Sequence, residues 1–156
     1  MNKNIDTRIP DRDVVEFEHL MESLFQCCRE RLQYQSERFE LPDAELRCLL
    51  LFEGERYLTA KGLAYRLNVA KSRVTKLVSA LVRRGLLASL PDPADSRVKL
   101  LSLTPEGGRL IGEIARFRFE AHQAVLAWFN PEQRAELLHS LSLLSRHMKS
   151  VRDLMA

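Results

Sequence analysis

Between residues 71 and 84 the chain reads KSRVTKLVSALVRR, with five Lys/Arg, two Ser, one Thr and no acid. At 100° per residue, Ser72, Thr75, Lys76, Ser79 and Arg83 share one side of a helix. Val74, Leu77, Val78 and Leu81 share the other, while Lys71 and Arg73 flank the polar side near the helix start. Hydroxyls and cations without a carboxylate suit the edge of a nucleic-acid duplex. Lys and Arg reach guanine O6/N7 or phosphate oxygens, and Ser and Thr tolerate close approach to either. An ordinary solvated helix mixes Glu with Lys for i,i+4 pairing, which this one does not. Lys71, Ser72, Arg73, Thr75, Lys76, Ser79 and Arg83 are therefore the expected DNA contacts of this helix.

A second chemical group follows at 90–97, LPDPADSR, between the β-prone runs LLASL and RVKLLSL. The prolines and Asp92 turn the tip of a hairpin. Arg97, beside that tip, can enter a narrow minor groove, where the negative potential is strongest. Asp95 is expected to fix the direction of the Arg97 guanidinium through a charge-assisted contact, and both residues join the expected DNA-binding set. The alternative is a surface ion pair worth about 0–1 kcal/mol without a function.

Other chemistries find little support. There is no nucleophile elbow, no P-loop and no pair of carboxylates flanking a cleft, so no enzyme is expected. Cys27, Cys28 and Cys48 are odd in number and irregular in spacing, which is no disulfide framework. His19, His122, His139 and His147 are scattered, no Cys/His group has zinc-site spacing, and neither metal nor cofactor is expected. Cys27 and Cys28 lie near Arg29 and Arg31, which leaves a redox role open. Cys28 also falls on the apolar seam of its helix, where a cysteine is often just buried.

The elements around these groups follow from periodicity. Val14, Phe17, Met21, Leu24 and Cys28 step by three and four through a helix from about Asp13 to Arg38. Pro42-Asp43-Ala44-Glu45 starts a second helix through LRCLLLFE, closed by Gly54. Thr59 caps a short helix ending near Leu67-Asn68, and the cationic helix stops at Gly85. Thr104-Pro105 opens a long helix to about Phe129, and Asn130 with Gln133 forms a capping box for the last one. The expected fold is mainly α with a small β-hairpin: a winged helix-turn-helix flanked by long N- and C-terminal dimerisation helices. The parts are an arm and dimerisation helix (1–40, with 1–11 a loose arm), a DNA-binding domain (41–104) and C-terminal dimerisation helices (105–156). Charge follows the same plan. Residues 56–101 hold ten Lys/Arg against two acids, a balance of +8 inside a chain of net +3, so the flanks are acidic. A basic block favours a polyanion through counterion release. With 46% apolar residues, no signal-peptide core and no apolar run near the ~20 residues needed to span a bilayer, a cytoplasmic location away from membranes is expected.

The segments LTAKGLAYRLNVAKSRVTKLVSALVRRGLL and DPADSRVKLLSLTPEG resemble the MarR family of bacterial transcription regulators. The wing pattern Asp-x-Arg, then an apolar strand and Leu-Thr-x-x-Gly, is met by Asp95, Arg97, Leu103, Thr104 and Gly107. The resemblance implies a homodimer with a recognition helix in the major groove and a wing arginine in the minor groove of a palindromic operator. It also implies control by a small ligand, a metal or an oxidant, the family default being a pocket for a small aromatic or acidic effector. The chain departs from the pattern at Ala70 (a frequent capping serine), Gly62 (a usual acid) and Ser96 (a frequent second wing arginine). The expected function is a homodimeric, sequence-specific repressor released by a small molecule. The alternatives are a redox-responsive regulator using Cys27 and Cys28, and a winged-helix module that binds another protein. The dimer expectation also rests on the seams of the first helix and the last two, which in a monomer would cover only one another.

Overall fold

Side-chain caps at Thr59, Thr104 and Asn130 set the starts of three helices. In the computed structural model of the chain, residues 9–95 and 97–155 are described, the side chains of 152–155 excepted. Residues 1–8 of the expected arm, Ser96 and the Met155 side chain thus lie outside the described residues. The chain forms two compact units, one ending at Ile111 and the other starting at Gly112.

The first unit begins with α1 (Asp11–Arg38) and α2 (Asp43–Leu50), whose N-cap is Pro42. A two-residue strand, β1 (Leu58–Thr59), leads into α3 (Ala60–Leu67). The Thr59 hydroxyl accepts from the Gly62 N–H at 3.1 Å and caps α3. Asn68 then takes a left-handed conformation (φ 53°), and a turn of three residues swings the chain into α4 (Lys71–Arg83). Asn is one of the few residues that tolerates this conformation cheaply. Gly85 (φ 72°) ends α4, after which β2 (Leu87–Pro91) and β3 (Lys99–Leu103) form the hairpin.

The expected hairpin is in fact two-thirds of a sheet. β1 pairs with β3, giving the order β1-β3-β2, all antiparallel, with Leu58 opposite Leu101 and Ser89 opposite Leu101 on the other side. Two residues carry no periodic signal, so β1 was not expected; its place is fixed by the packing of Leu58. Pro91 lies at the end of an edge strand, where its missing N–H costs no ladder bond.

The core of this unit is aliphatic. Leu46 and Leu49 of α2, Leu63 of α3, and Val74 and Leu81 of α4 are fully buried, with Phe52, Leu58, Leu87 and Leu101 close to it. Each such side chain contributes about 1.5–3 kcal/mol relative to staying in water. Cys48, also fully buried, has its thiol pushed up to about 11 from 9.0, first by burial and then by the Glu45 carboxylate. An alkylating reagent in mildly alkaline buffer should therefore label Cys48 only when the protein unfolds. Labelling in the native state at the rate of a free thiol would contradict this packing.

α5 (Pro105–Leu126) starts in the first unit and continues into the second, ending one turn before the expected Phe129. The second unit is completed by α6 (Pro131–Met155). Its start is a reciprocal box: the Asn130 side chain accepts from the Gln133 N–H at 2.9 Å, and the Gln133 side chain accepts from the Asn130 N–H at 3.1 Å. No helix among the described residues is long and apolar enough to cross a membrane.

Candidate nucleic-acid interface

α4 is held at its C-terminal end and along one apolar edge, and offers the rest of its surface to solvent. Val74 and Leu81 are buried, and Leu77 and Val78 are half-buried along either border of that edge. Lys71, Ser72, Arg73, Thr75, Lys76, Ser79 and Arg83 are all exposed. Among the described residues none of these four cations, Lys71, Arg73, Lys76 and Arg83, enters an ion pair. The Ala70 cap provides no side-chain hydrogen bond, so the first N–H groups of α4 are left open at the end that also carries Lys71. Thr75 donates its hydroxyl to the Lys71 carbonyl at 3.1 Å.

Not every cation of the basic block faces outward for a partner. Arg84 anchors the C-terminus of α4: its Nε lies 2.9 Å from Glu45 Oε2, and its Nη1 donates to the Glu40 carbonyl at 3.2 Å. Arg66 pairs with Glu55 at 2.6 Å. Arg56 lies over the Tyr57 ring, 5.3 Å from its centroid. Charge counting along the chain does not separate these structural cations from the exposed ones.

The wing tip is organised by two short acids. Asp92 Oδ1 accepts from the Ala94 N–H at 2.8 Å, and the Asp92 N–H donates to the Val98 carbonyl at 2.8 Å. Asp95 Oδ1 accepts from the Arg97 backbone N–H at 3.0 Å, and the Asp95 carbonyl accepts from the Val98 N–H at 2.9 Å. The expected contact between the Asp95 carboxylate and the Arg97 guanidinium is not formed. An Asp side chain reaches the backbone two residues on more easily than a long guanidinium folds back to it. Asp95 thus shapes the backbone that carries Arg97, and the Arg97 side chain stays exposed.

Helix and wing face each other across an open groove of about 460 Å³. Its floor is Ala60, Val78, Val82 and Leu101; Thr75, Ser79 and Arg83 edge it from α4, and Ser89 and Lys99 edge it from the hairpin. The hairpin residues Ser89 and Lys99 were not among the expected contacts. The signal that finds them is the period of two along β3, which puts Lys99 on the same face as the buried Leu101. Arg73 stands on the other border of α4 and lines a smaller cleft of about 120 Å³ with Asp43 and Arg47. The surface is therefore tripartite: Arg73 beside α2, the central row Ser72-Lys76-Ser79-Arg83, and the groove leading to the wing.

The base of the wing is locked to the end of α4 by one residue. Thr104 donates its backbone N–H to the Leu86 carbonyl at 3.1 Å and its hydroxyl to the Gly85 carbonyl at 2.6 Å. The same hydroxyl oxygen accepts from the Gly107 N–H at 3.0 Å, capping α5.

Comparison with known proteins agrees with this geometry. Residues 39–98 match the sequence pattern of the MarR family. The chain is 31% identical over 105 residues to the transcriptional regulator AdcR of Streptococcus pneumoniae, covering 65% of this chain and 71% of that one. It is 33% identical over 92 residues to YsmB of Bacillus subtilis, an uncharacterized HTH-type transcriptional regulator, covering 59% of this chain and 63% of that one. The match therefore spans less than two-thirds of the Bacillus relative. A MarR family protein from Bacillus stearothermophilus has the same architecture, with a TM-score of 0.82 at 25% identity over 91% of this chain and 99% of that one.

Proposed function

The chain belongs to the MarR family of transcriptional regulators, and from that membership we propose that it acts as a homodimeric, DNA-binding repressor released by a small molecule. The observation that carries this reading is the acid-free, exposed row on α4 beside a hairpin that bears Arg97. Ser72, Lys76, Ser79 and Arg83, with Lys71, Arg73 and Thr75 at the borders, read and grip the major groove. Arg97, on a backbone shaped by Asp95, enters the neighbouring minor groove. Residues 41–104 form the reading head, and 1–40 with 105–156 form the dimer. We place it in the cytoplasm, with no catalytic role.

Support for the dimer comes from apolar side chains left in water. On α1, Val14, Phe17 and Leu24 are about half exposed, and on α6 so are Leu141, Met148 and Val151. Such stripes are what a partner helix covers. Two heads spaced one helical turn apart would bind a palindrome far more tightly than one. A protein-docking role for the winged helix fits poorly, because its presented face is cationic and hydroxylated rather than apolar. Redox control keeps one supporting observation: Cys27 and Cys28 are both exposed on α1.

Electrophoretic retardation of the DNA upstream of its own gene tests the reading, together with sedimentation at micromolar concentration. The expected result is a dimeric mass and a retarded complex that weakens as salt rises. Single-subunit mass, or binding to random DNA without salt dependence, would refute it. Repeating the assay with peroxide separates the redox alternative, since only that reading requires release by an oxidant and its loss in Cys27→Ser and Cys28→Ser.

A further inference from the structure

An element in the major groove and an element in the adjacent minor groove are separated by one sugar-phosphate strand. If α4 and the wing engage the duplex as proposed above, that strand has to pass through the space between them. In this fold that space is the open groove along α4. Its chemistry matches such an occupant. The floor of Val78, Val82 and Leu101 is apolar, as the faces of a deoxyribose are. The two edges carry one cation each, Arg83 from α4 and Lys99 from β3, and no carboxylate lines it. Ser89, directly opposite Leu101 in the sheet, adds a hydroxyl on the wing side.

We propose that this groove is a backbone clamp, in which Arg83 and Lys99 hold the same phosphate of the DNA strand from opposite sides. The inference rests on the DNA-binding reading and deepens it. Arg83 is then a positioning residue rather than a base reader. Lys99, which the expected contacts omit, becomes a positioning residue of equal weight. A shared phosphate couples the two reading elements: the depth of the helix in one groove sets the depth of Arg97 in the next. Two cations from different elements also fix a phosphate's position better than one flexible side chain does, since each limits the freedom of the other.

The test uses a duplex that the full-length protein itself retains from a randomised pool. Single phosphates are replaced in turn by neutral methylphosphonate, and affinity is read by fluorescence anisotropy for wild type, Arg83→Gln, Lys99→Gln and the double variant. At one position per half-site, neutralisation should weaken wild-type binding about fivefold or more, and should leave the double variant within about twofold. Each single variant should lose part of the effect at that same position. The slope of log affinity against log salt should fall by about two for the double variant, one phosphate per subunit. Both side chains are exposed, and unchanged thermal melting checks that the variants fold. If Arg83 and Lys99 map to different phosphates with additive costs, or if the variants bind like wild type at every salt concentration, the clamp is overturned and the DNA-binding reading stands. If no duplex is retained at all, that reading falls and the clamp falls with it.

Discussion

Alanine in place of Gly107 lowers the stability of the folded chain by roughly 2–4 kcal/mol. A Cβ at Gly107 would overlap the Leu86 carbonyl oxygen, and would lie 3.0 Å from its carbon and 3.2 Å from Leu103 Cδ2. The carbonyl cannot step aside, because it accepts the Thr104 N–H that ties β3 to the end of α4. Nor can α5 retreat easily, since its first turn is capped by the same Thr104. The Leu-Thr-x-x-Gly signature of the sequence thus has a mechanical content: Thr104 joins three elements, and Gly107 lets α5 start against them. Urea unfolding should show a lower midpoint at unchanged slope. Gly108→Ala is the internal control. Its Cβ would meet nothing within 4 Å, so it should stabilise the helix by about 0.5–1 kcal/mol. Equal midpoints for the two variants would mean that the close approach at Gly107 is not real.

Arg97→Ala should cost roughly 2–4 kcal/mol of DNA affinity per dimer while leaving the unfolding free energy within about 0.5 kcal/mol of wild type. Arg97 is exposed and makes its described hydrogen bond through its backbone N–H, so the side chain contributes little to the fold. In a minor groove the same guanidinium meets concentrated negative potential from two strands. Asp95→Ala should produce a smaller loss, because it leaves the cation in place and loosens only the turn that carries it. The order Arg97→Ala worse than Asp95→Ala, and both worse for DNA than for stability, separates a groove-inserting wing from an inert hairpin. Wild-type affinity for Arg97→Ala on a retained duplex would remove the wing from the interface.

Where the chain's structure is set by neighbours within about four residues, it was legible in advance. The caps at Thr59, Thr104 and Asn130, the stop at Gly85 and the helix end near Asn68 are all choices between a side chain and its own nearby backbone. The faces of α4 were legible for the same reason, since 100° per residue needs no tertiary information. Four features were not. β1 is too short to carry a period, and exists because Leu58 packs opposite Leu101. The role of Asp95 is not legible, because opposite charge favours the guanidinium while geometry favours the backbone N–H. Arg84 reads as one more cation, yet it is spent on Glu45 and the Glu40 carbonyl, some forty residues earlier in the chain. Lys99 belongs to the groove only once α4 lies along the sheet.

By itself the sequence determined a cationic helix, a turned hairpin with an arginine beside its tip, the helix starts at Thr59, Thr104 and Asn130 and the stop at Gly85, because these depend on short-range hydrogen bonding and helical period. The tertiary structure decided which cations hold the fold and which face outward, and how close helix and wing stand. Those outcomes depend on distances between residues far apart in the chain, which only the packing of Leu58, Leu81 and Leu101 into one core makes definite.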